Sequence, residues 1–337
     1  MGRLLVWWFL GTVTFAVATF LASVVYLVLY AGRSLGAPWV GGQPLVLGGS
    51  GIANVWFTIA LVYFVWIVPL ALVLVLIPRG RRERHREVPA DPAVLEDWAN
   101  RSLIAVLTAY NDEEAIGPSV QEFLAVPHMQ SVIVVDNNCT DRTAEVARAH
   151  GAVVVPEPRQ GYGLACMRGL RTALETATAD FIILAEGDMT FFGNDVPKLL
   201  PYLEECDLVL GTRTNRTLTQ KGSQMDWFLA WGNLALAFLI RLRYWDRDFL
   251  GHVQLTDVGC TFRVIRRKSL AGVIDRLSVG GYYFSPHMIL VALQNGLKVV
   301  EVPIKFRARV GMSKGAGRSR RRALSIGLSM MREISLH

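Results

Sequence analysis

The stretch Phe181-Ile182-Ile183-Leu184-Ala185-Glu186-Gly187-Asp188-Met189-Thr190 runs from an unbroken apolar segment into two acids that flank one glycine. A short apolar run without alternation, bounded by small and acidic residues, is the pattern of a parallel strand buried on both faces. Its carboxylates then emerge at the carboxyl edge of the sheet, where open α/β sheets bind ligands. Paired carboxylates are hard oxygen donors suited to a divalent cation that also bridges to phosphate. A solvated strand end is the plain reading of an isolated Glu-x-Asp. The neighbours of this one argue otherwise.

Working outward, Leu103 to Thr108, Ser131 to Val135, Ala152 to Val155 and Leu208 to Gly211 read as further strands. Between them, Glu113 to Leu124, Asp141 to His150, Gly163 to Thr176 and Val196 to Glu204 carry helical patterns. Such alternation predicts an α/β fold with a Rossmann-like, mostly parallel sheet and right-handed crossovers. The strands are followed by Tyr110-Asn111-Asp112-Glu113, Asp136-Asn137-Asn138, Glu186-Gly187-Asp188 and Gly211-Thr212-Arg213, which gather acids, amides and an arginine on one rim. A nucleotide asks for such a rim: carboxylates that accept from base or ribose, a metal for the pyrophosphate, and a guanidinium for phosphate oxygens. Asx residues also start helices. On that ground Asp141 is expected as a cap and Asp136 as a ligand.

The chain has 337 residues, and its apolar content is uneven. Leu4 to Tyr30 and Ile52 to Ile77 hold no charged residue, and each exceeds the roughly 20 residues that cross a hydrocarbon core. Two transmembrane helices are expected in residues 1–78, joined by a short outer loop. The first is too long for the apolar part of a cleaved signal peptide. Arg79-Gly80-Arg81-Arg82-Glu83-Arg84-His85-Arg86 follows the second span and opens a basic linker, 79–100, that should stay on the cytoplasmic side. The bulk of the chain is then cytoplasmic on an integral membrane anchor. That block supplies much of the +7 net charge, so the basic balance points to an anionic lipid surface and not to nucleic acid. Cys139, Cys166, Cys206 and Cys260 lack metal-site spacing and are expected as free thiols.

As an ordered set, Ala109-Tyr110-Asn111-Asp112-Glu113-Glu114, Val134-Val135-Asp136-Asn137-Asn138-Cys139-Thr140-Asp141, the Glu186-Gly187-Asp188 acids and Gly211-Thr212-Arg213 resemble the motifs of family 2 glycosyltransferases with the GT-A fold. The polyprenyl-phosphate glycosyltransferases, typified by dolichyl-phosphate mannose synthase, are most similar. Leu255-Thr256-Asp257-Val258-Gly259-Cys260-Thr261-Phe262-Arg263 resembles their Asp-x-x-Ser-Gly-Phe-Arg stretch, and Gly311-Met312-Ser313-Lys314 their Gly-x-Ser-Lys. The resemblance spans Leu103 to Lys314 and implies a GT-A domain over 101–317. It assigns Tyr110, Asn111, Glu113, Asp136, Asn138, Glu186 and Gly187 to the nucleotide sugar. It assigns Asp188 and Glu186 to Mg2+ or Mn2+, and Arg213, Ser313 and Lys314 to phosphates. Two departures stand out: Glu186 where Asp is usual, leaving its metal contact direct or through water, and Cys260-Thr261 where Ser-Gly is common.

The resemblance also implies an inverting transfer from a nucleotide sugar, of the GDP-mannose, UDP-glucose or UDP-N-acetylglucosamine type, to a polyprenyl phosphate. Such an acceptor is already anionic and needs no general base. Asp257 is therefore expected either to position Arg263 or the acceptor loop, or to be structural. Arg263 reads as an acceptor-phosphate ligand or as a surface strand arginine. The segment 226–245 is apolar, aromatic-rimmed and closed by arginines, and is expected as an interfacial helix. A basic amphipathic helix is expected over 318–337. A polysaccharide synthase would carry later membrane helices and a Gln-x-x-Arg-Trp motif, and the sequence has neither. A catalytically silent sugar-nucleotide or lipid-binding subunit stays open, as does a homo-oligomer.

Overall fold

The computed structural model describes residues 101–176, 178–244, 254–311 and 319–336. The expected membrane spans, outer loop and basic linker lie outside the described residues, as do Ser313 and Lys314. Among the described residues no helix is long and apolar enough to cross a membrane.

The strands are β1 (Leu103–Ala109), β2 (Met129–Asp136), β3 (Val153–Pro156), β4 (Phe181–Glu186), β5 (Leu208–Thr212), β6 (Arg263–Arg266) and β7 (Val299–Pro303). The helices are α1 (Glu113–Leu124), α2 (Thr143–Ala149), α3 (Tyr162–Thr176), α4 (Val196–Leu199), α5 (Trp227–Arg243), α6 (Arg267–Val273), α7 (Phe284–Gln294) and α8 (Arg320–Leu336). The strands form one sheet in the order β3-β2-β1-β4-β6-β5-β7. The expected mostly parallel α/β sheet is the one observed, and its strands are apolar throughout because both faces are covered. Ile104, Val106, Ile182 and Leu184 pack with Leu170 of α3 and Ile289 of α7. Their alternates Leu103, Ala105, Leu107 and Ile183 pack with Ile116, Val120 and Phe123 of α1.

One strand reverses direction. β6 runs antiparallel between β4 and β5, with Arg263 opposite Leu184 on one side and Leu210 on the other. Its amino end therefore lies at the rim where β4 and β5 have their carboxyl ends. Residues 257–262, which lead into it, are carried over the Glu186 and Arg213 positions. The helix expected over Val196 to Glu204 stays α-helical only to Leu199 and continues as a 3-10 turn over Leu200–Glu204, where Pro201 has no N–H to donate. Asp141 does act at helix starts: its carboxylate accepts from Thr143 N at 3.0 Å and from Glu113 N at 3.2 Å, tying α2 to α1.

Helix α3 lies unusually close to the sheet at Gly169. A Cβ there would stand 2.2 Å from Val106 Cγ1 and 2.7 Å from Val135 Cγ2, so only glycine permits this approach. Gly169→Ala is expected to overpack the interface and destabilise the domain by about 1–3 kcal/mol, measured as a lower denaturation midpoint with an unchanged m-value.

Candidate active site

Three strand ends at the rim place a non-glycine residue in the left-handed region: Asn111 after β1 (φ 52°), Asn138 after β2 (φ 60°) and Met189 after β4 (φ 65°). Asparagine tolerates this conformation, whereas a bulky residue such as Met189 adopts it only when its surroundings insist. Met189 N donates to Ser119 Oγ at 3.2 Å, and its carbonyl accepts from Arg307 Nε. The turn so fixed brings Thr190 N to Asp188 Oδ1 at 3.0 Å. Asp188 is thereby held rigid, almost wholly buried, with Oδ2 free of the turn.

That second oxygen accepts from Arg309 Nη1 at 2.7 Å, while Arg309 Nη2 donates to Asp112 Oδ1 at 2.6 Å. Glu186 Oε2 lies 3.9 Å from the same guanidinium. Three carboxylates thus converge on one cation. Burial and, after it, the charge of Asp188 push the Glu186 carboxyl up to about 7. Hard oxygens in such a field suit Mg2+ or Mn2+. Among the described residues no group of three or more His, Cys, Asp or Glu side chains could hold a metal. A cation on Asp188 and Glu186 would therefore complete its shell from phosphate oxygens and water.

Beside the acids stands Arg213, stacked over the Phe306 ring at 5.1 Å. Asp257 grips it with both oxygens: Nε to Oδ2 at 2.7 Å and Nη2 to Oδ1 at 2.9 Å, with Arg213 N adding a third bond at 3.1 Å. Burial opposes the charge of Arg213, and Asp257 more than offsets it. Behind Asp257, Glu301 of β7 accepts from Asp257 N, Thr256 N and Thr256 Oγ1 at 2.8, 2.8 and 2.6 Å. One cavity joins these parts. It is lined by Tyr110, Asp112, Glu186, Asp188, Arg213 and Arg309, and it extends to Leu229 of α5 and to Ile326 and Met330 of α8.

The family model for glycosyl transferase family 2 matches residues 104–273. The chain belongs to this family. An uncharacterized glycosyltransferase of Mycobacterium tuberculosis is 34% identical over 233 residues, 68% of this chain and 96% of that protein. A dolichyl-phosphate hexose transferase of Haloferax volcanii is 27% identical over 221 residues, 65% of this chain and 89% of its own. Among solved structures, glucosyl-3-phosphoglycerate synthase of M. tuberculosis, in complex with Mn2+, UDP-glucose and phosphoglyceric acid, matches with a TM-score of 0.54 at 18% identity, over 75% of this chain and 86% of that one. That likeness shows the shared GT-A type of fold.

Within this family 2 glycosyltransferase, four of the expected site residues, Tyr110, Glu186, Asp188 and Arg213, meet at the cavity. Asn111, Glu113, Asp136 and Asn138 stand on or beside the adjoining loops, and the first three bind them. Thr140 N donates to Asn111 Oδ1, Arg142 N to Glu113 Oε2, and Cys139 N to Asp136 Oδ1. Gly187 lies beneath the cavity, where a Cβ would meet Ile116 Cδ1 at 2.5 Å. The four cysteines are free, as expected.

Two expectations need correction. Asp257 positions Arg213, not Arg263. Arg263 is 1% exposed and does not stand at the surface. It donates to the carbonyls of Cys260, Thr261 and Ser285, which fixes the backbone ahead of β6. Sequence reading missed Arg309 and passed over Asp112 for Glu113. An arginine two residues before a Gly-x-Ser-Lys phosphate motif was the available signal for the first.

Burial, together with the neighbouring charge of Asp257, outweighs the three donors and pushes the Glu301 carboxyl up to about 7. The unfolded chain releases that proton near the ordinary value of 4.5, so between these values the folded state holds more protons and stability falls as pH rises. Glu301→Gln is expected to remove this decline, leaving a flatter profile of unfolding free energy from pH 4.5 to 7.

Proposed function

We propose that this glycosyltransferase moves a sugar from a GDP- or UDP-sugar to a membrane polyprenyl phosphate, with inversion at the anomeric carbon. The observation that carries the reading is the reach of the cavity, from a carboxylate and arginine rim to apolar side chains of α5 and α8. A nucleotide diphosphate matches the first part and a lipid phosphate the second. The Haloferax relative named for dolichyl phosphate supports the acceptor. The synthase solved with Mn2+ and UDP-glucose supports a metal and a nucleotide-sugar donor.

In this reading Tyr110 and the loops that hold Asp136 and Glu113 receive the nucleoside. Asp188 and Glu186 hold Mg2+ or Mn2+, which supplies positive charge to the departing diphosphate. Arg213, clamped by Asp257 and charged at every working pH, adds fixed charge at the same place without having to reorganise. Lys314 and Ser313 serve phosphates, as the family resemblance implies. The acceptor phosphate attacks as an anion, so no side chain has to remove a proton. Position and charge supply the catalysis.

The acceptor arrives from the bilayer. Trp227, Trp231, Leu234 and Phe238 are exposed at 56, 68, 36 and 56%, and their spacing puts them along one face of α5. Leu324 and Leu328 are exposed on α8, which packs beside α5, and the Arg320 guanidinium lies over the Trp227 ring at 5.8 Å. Aromatic and aliphatic side chains with arginines at the helix ends suit an interfacial seat on anionic lipid. The N-terminal apolar segments anchor the same chain as an integral membrane protein with its catalytic domain on the cytoplasmic face.

Membranes containing the full chain are expected to transfer radiolabelled sugar from nucleotide to extractable polyprenyl phosphate. Asp188→Ala should lower the rate by on the order of 100-fold or more. Absence of turnover with GDP-mannose, UDP-glucose and UDP-N-acetylglucosamine alike would instead mark a silent binding subunit.

A further inference from the structure

The two places where the sequence leaves its family's pattern touch each other. Thr261, standing where the Asp-x-x-Ser-Gly-Phe-Arg motif has glycine, donates its hydroxyl to Glu186 Oε1 at 2.7 Å, and Glu186 stands where aspartate is usual. Thr261 is 1% exposed. A threonine hydroxyl has one proton. Because that proton goes to Glu186, the Thr261 oxygen accepts from its other neighbour, the phenol of Tyr162. With Glu186 ionised, the form that binds a cation, the hydrogen bonds run one way, from Tyr162 to Thr261 to Glu186, and commit Oε1 to the protein. Oε2 is left as the oxygen on the Arg309 side.

We propose that Tyr162 and Thr261 are positioning residues that fix the longer side chain of Glu186, so that a glutamate at this place offers a single oriented oxygen to the cation shared with Asp188. This rests on the proposed metal-dependent transfer. Glutamate has one more rotatable bond than aspartate, and an unheld carboxylate would lose that freedom on each binding event. The Thr261 hydroxyl removes it beforehand. A glycine at 261 has no hydroxyl to give. The departures at 186 and 261 are, on this account, one adaptation made at two positions that lie 75 residues apart.

The test is a Mn2+ titration of the purified full chain, free Mn2+ being read by its paramagnetic resonance signal, with sugar transfer assayed in parallel. Thr261→Val keeps the shape and removes the donor, and should weaken Mn2+ binding about 10-fold, within the range seen when groups that orient metal ligands are lost. Tyr162→Phe should weaken it less, and Thr261→Ser should restore it, an outcome that a purely packing role would not give. The decisive comparison is the exchange to the common pattern: Glu186→Asp and Thr261→Gly should each impair binding, and the double variant should bind better than the sum of the two losses allows. Strictly additive losses, or a Thr261→Val variant with unchanged Mn2+ affinity, overturn the proposal while leaving the transferase reading intact. A wild-type chain that binds no Mn2+ overturns both the cation reading and this use of Glu186.

Discussion

Convergence of Asp112, Glu186 and Asp188 on a single guanidinium is the constraint from which the rest of the site follows. Buried carboxylates cannot stay charged unless a cation faces them, and the parallel sheet is what makes them neighbours: β1 and β4 are hydrogen-bonded partners, with Thr108 opposite Glu186. Arg309 is the cation that faces all three. Its own Nε is buried without a hydrogen-bond partner, so the arrangement satisfies the acids better than it satisfies the arginine.

The reversal of β6 explains why a second charged pair stands beside the first. Had the strand between β4 and β5 run parallel to them, its carboxyl end would lie at the rim and Asp257 would be at the far side of the sheet. Running antiparallel, β6 brings Asp257 to Arg213 and Thr261 to Glu186 through one short approach segment. Arg263 secures that segment by binding three of the surrounding carbonyls. A buried arginine without a carboxylate is costly, and burial pulls its pKa down. Holding the approach to the active site is the structural return for that cost.

The strands and the Asp188 acid were legible because their signals are local. Apolar runs such as Leu103 to Thr108 need only their own composition to be read as strands buried on both faces, and an acid after such a run can point only to the rim. The roles of arginines were not legible in the same way. Lys305, Arg307 and Arg309 look like an ordinary basic strand end, yet Arg309 reaches Asp188 and Asp112 across separations of 121 and 197 residues, which no periodicity encodes. Arg263 reads as an acceptor-phosphate ligand or as a surface strand arginine, the latter because Arg266, Arg267 and Lys268 follow it. In fact the pleat and the antiparallel register, neither visible in composition, send it inward between Leu184 and Leu210. Resemblance to a family did supply Arg213, since its position after β5 is fixed by the order of motifs. For Asp257 the reading left Arg263, the acceptor loop and a structural role open, and the partner found is Arg213.

The polar and apolar halves of the cavity also constrain each other. A lipid phosphate that left the headgroup layer for an open, watery rim would lose little by staying where it was. Here α5 and α8 each turn part of one face to the cavity, through Leu229 and through Ile326 and Met330, while Trp231, Phe238, Leu324 and Leu328 of the same helices face outward. Both helices therefore line the site with one set of side chains and expose apolar ones with another. On the function proposed above, the acceptor's chain passes between these apolar side chains and its phosphate meets Arg213 at the rim. Attachment of α8 to the domain is secured away from this path, by His287 of α7, whose Nδ1 lies 2.8 Å from Glu333 Oε1. Because His287 Nε2 accepts from Ser278 N, a neutral ring must carry its proton on Nδ1 and donate it to Glu333. Helix α8 is thus tied down by a buried, directional bond.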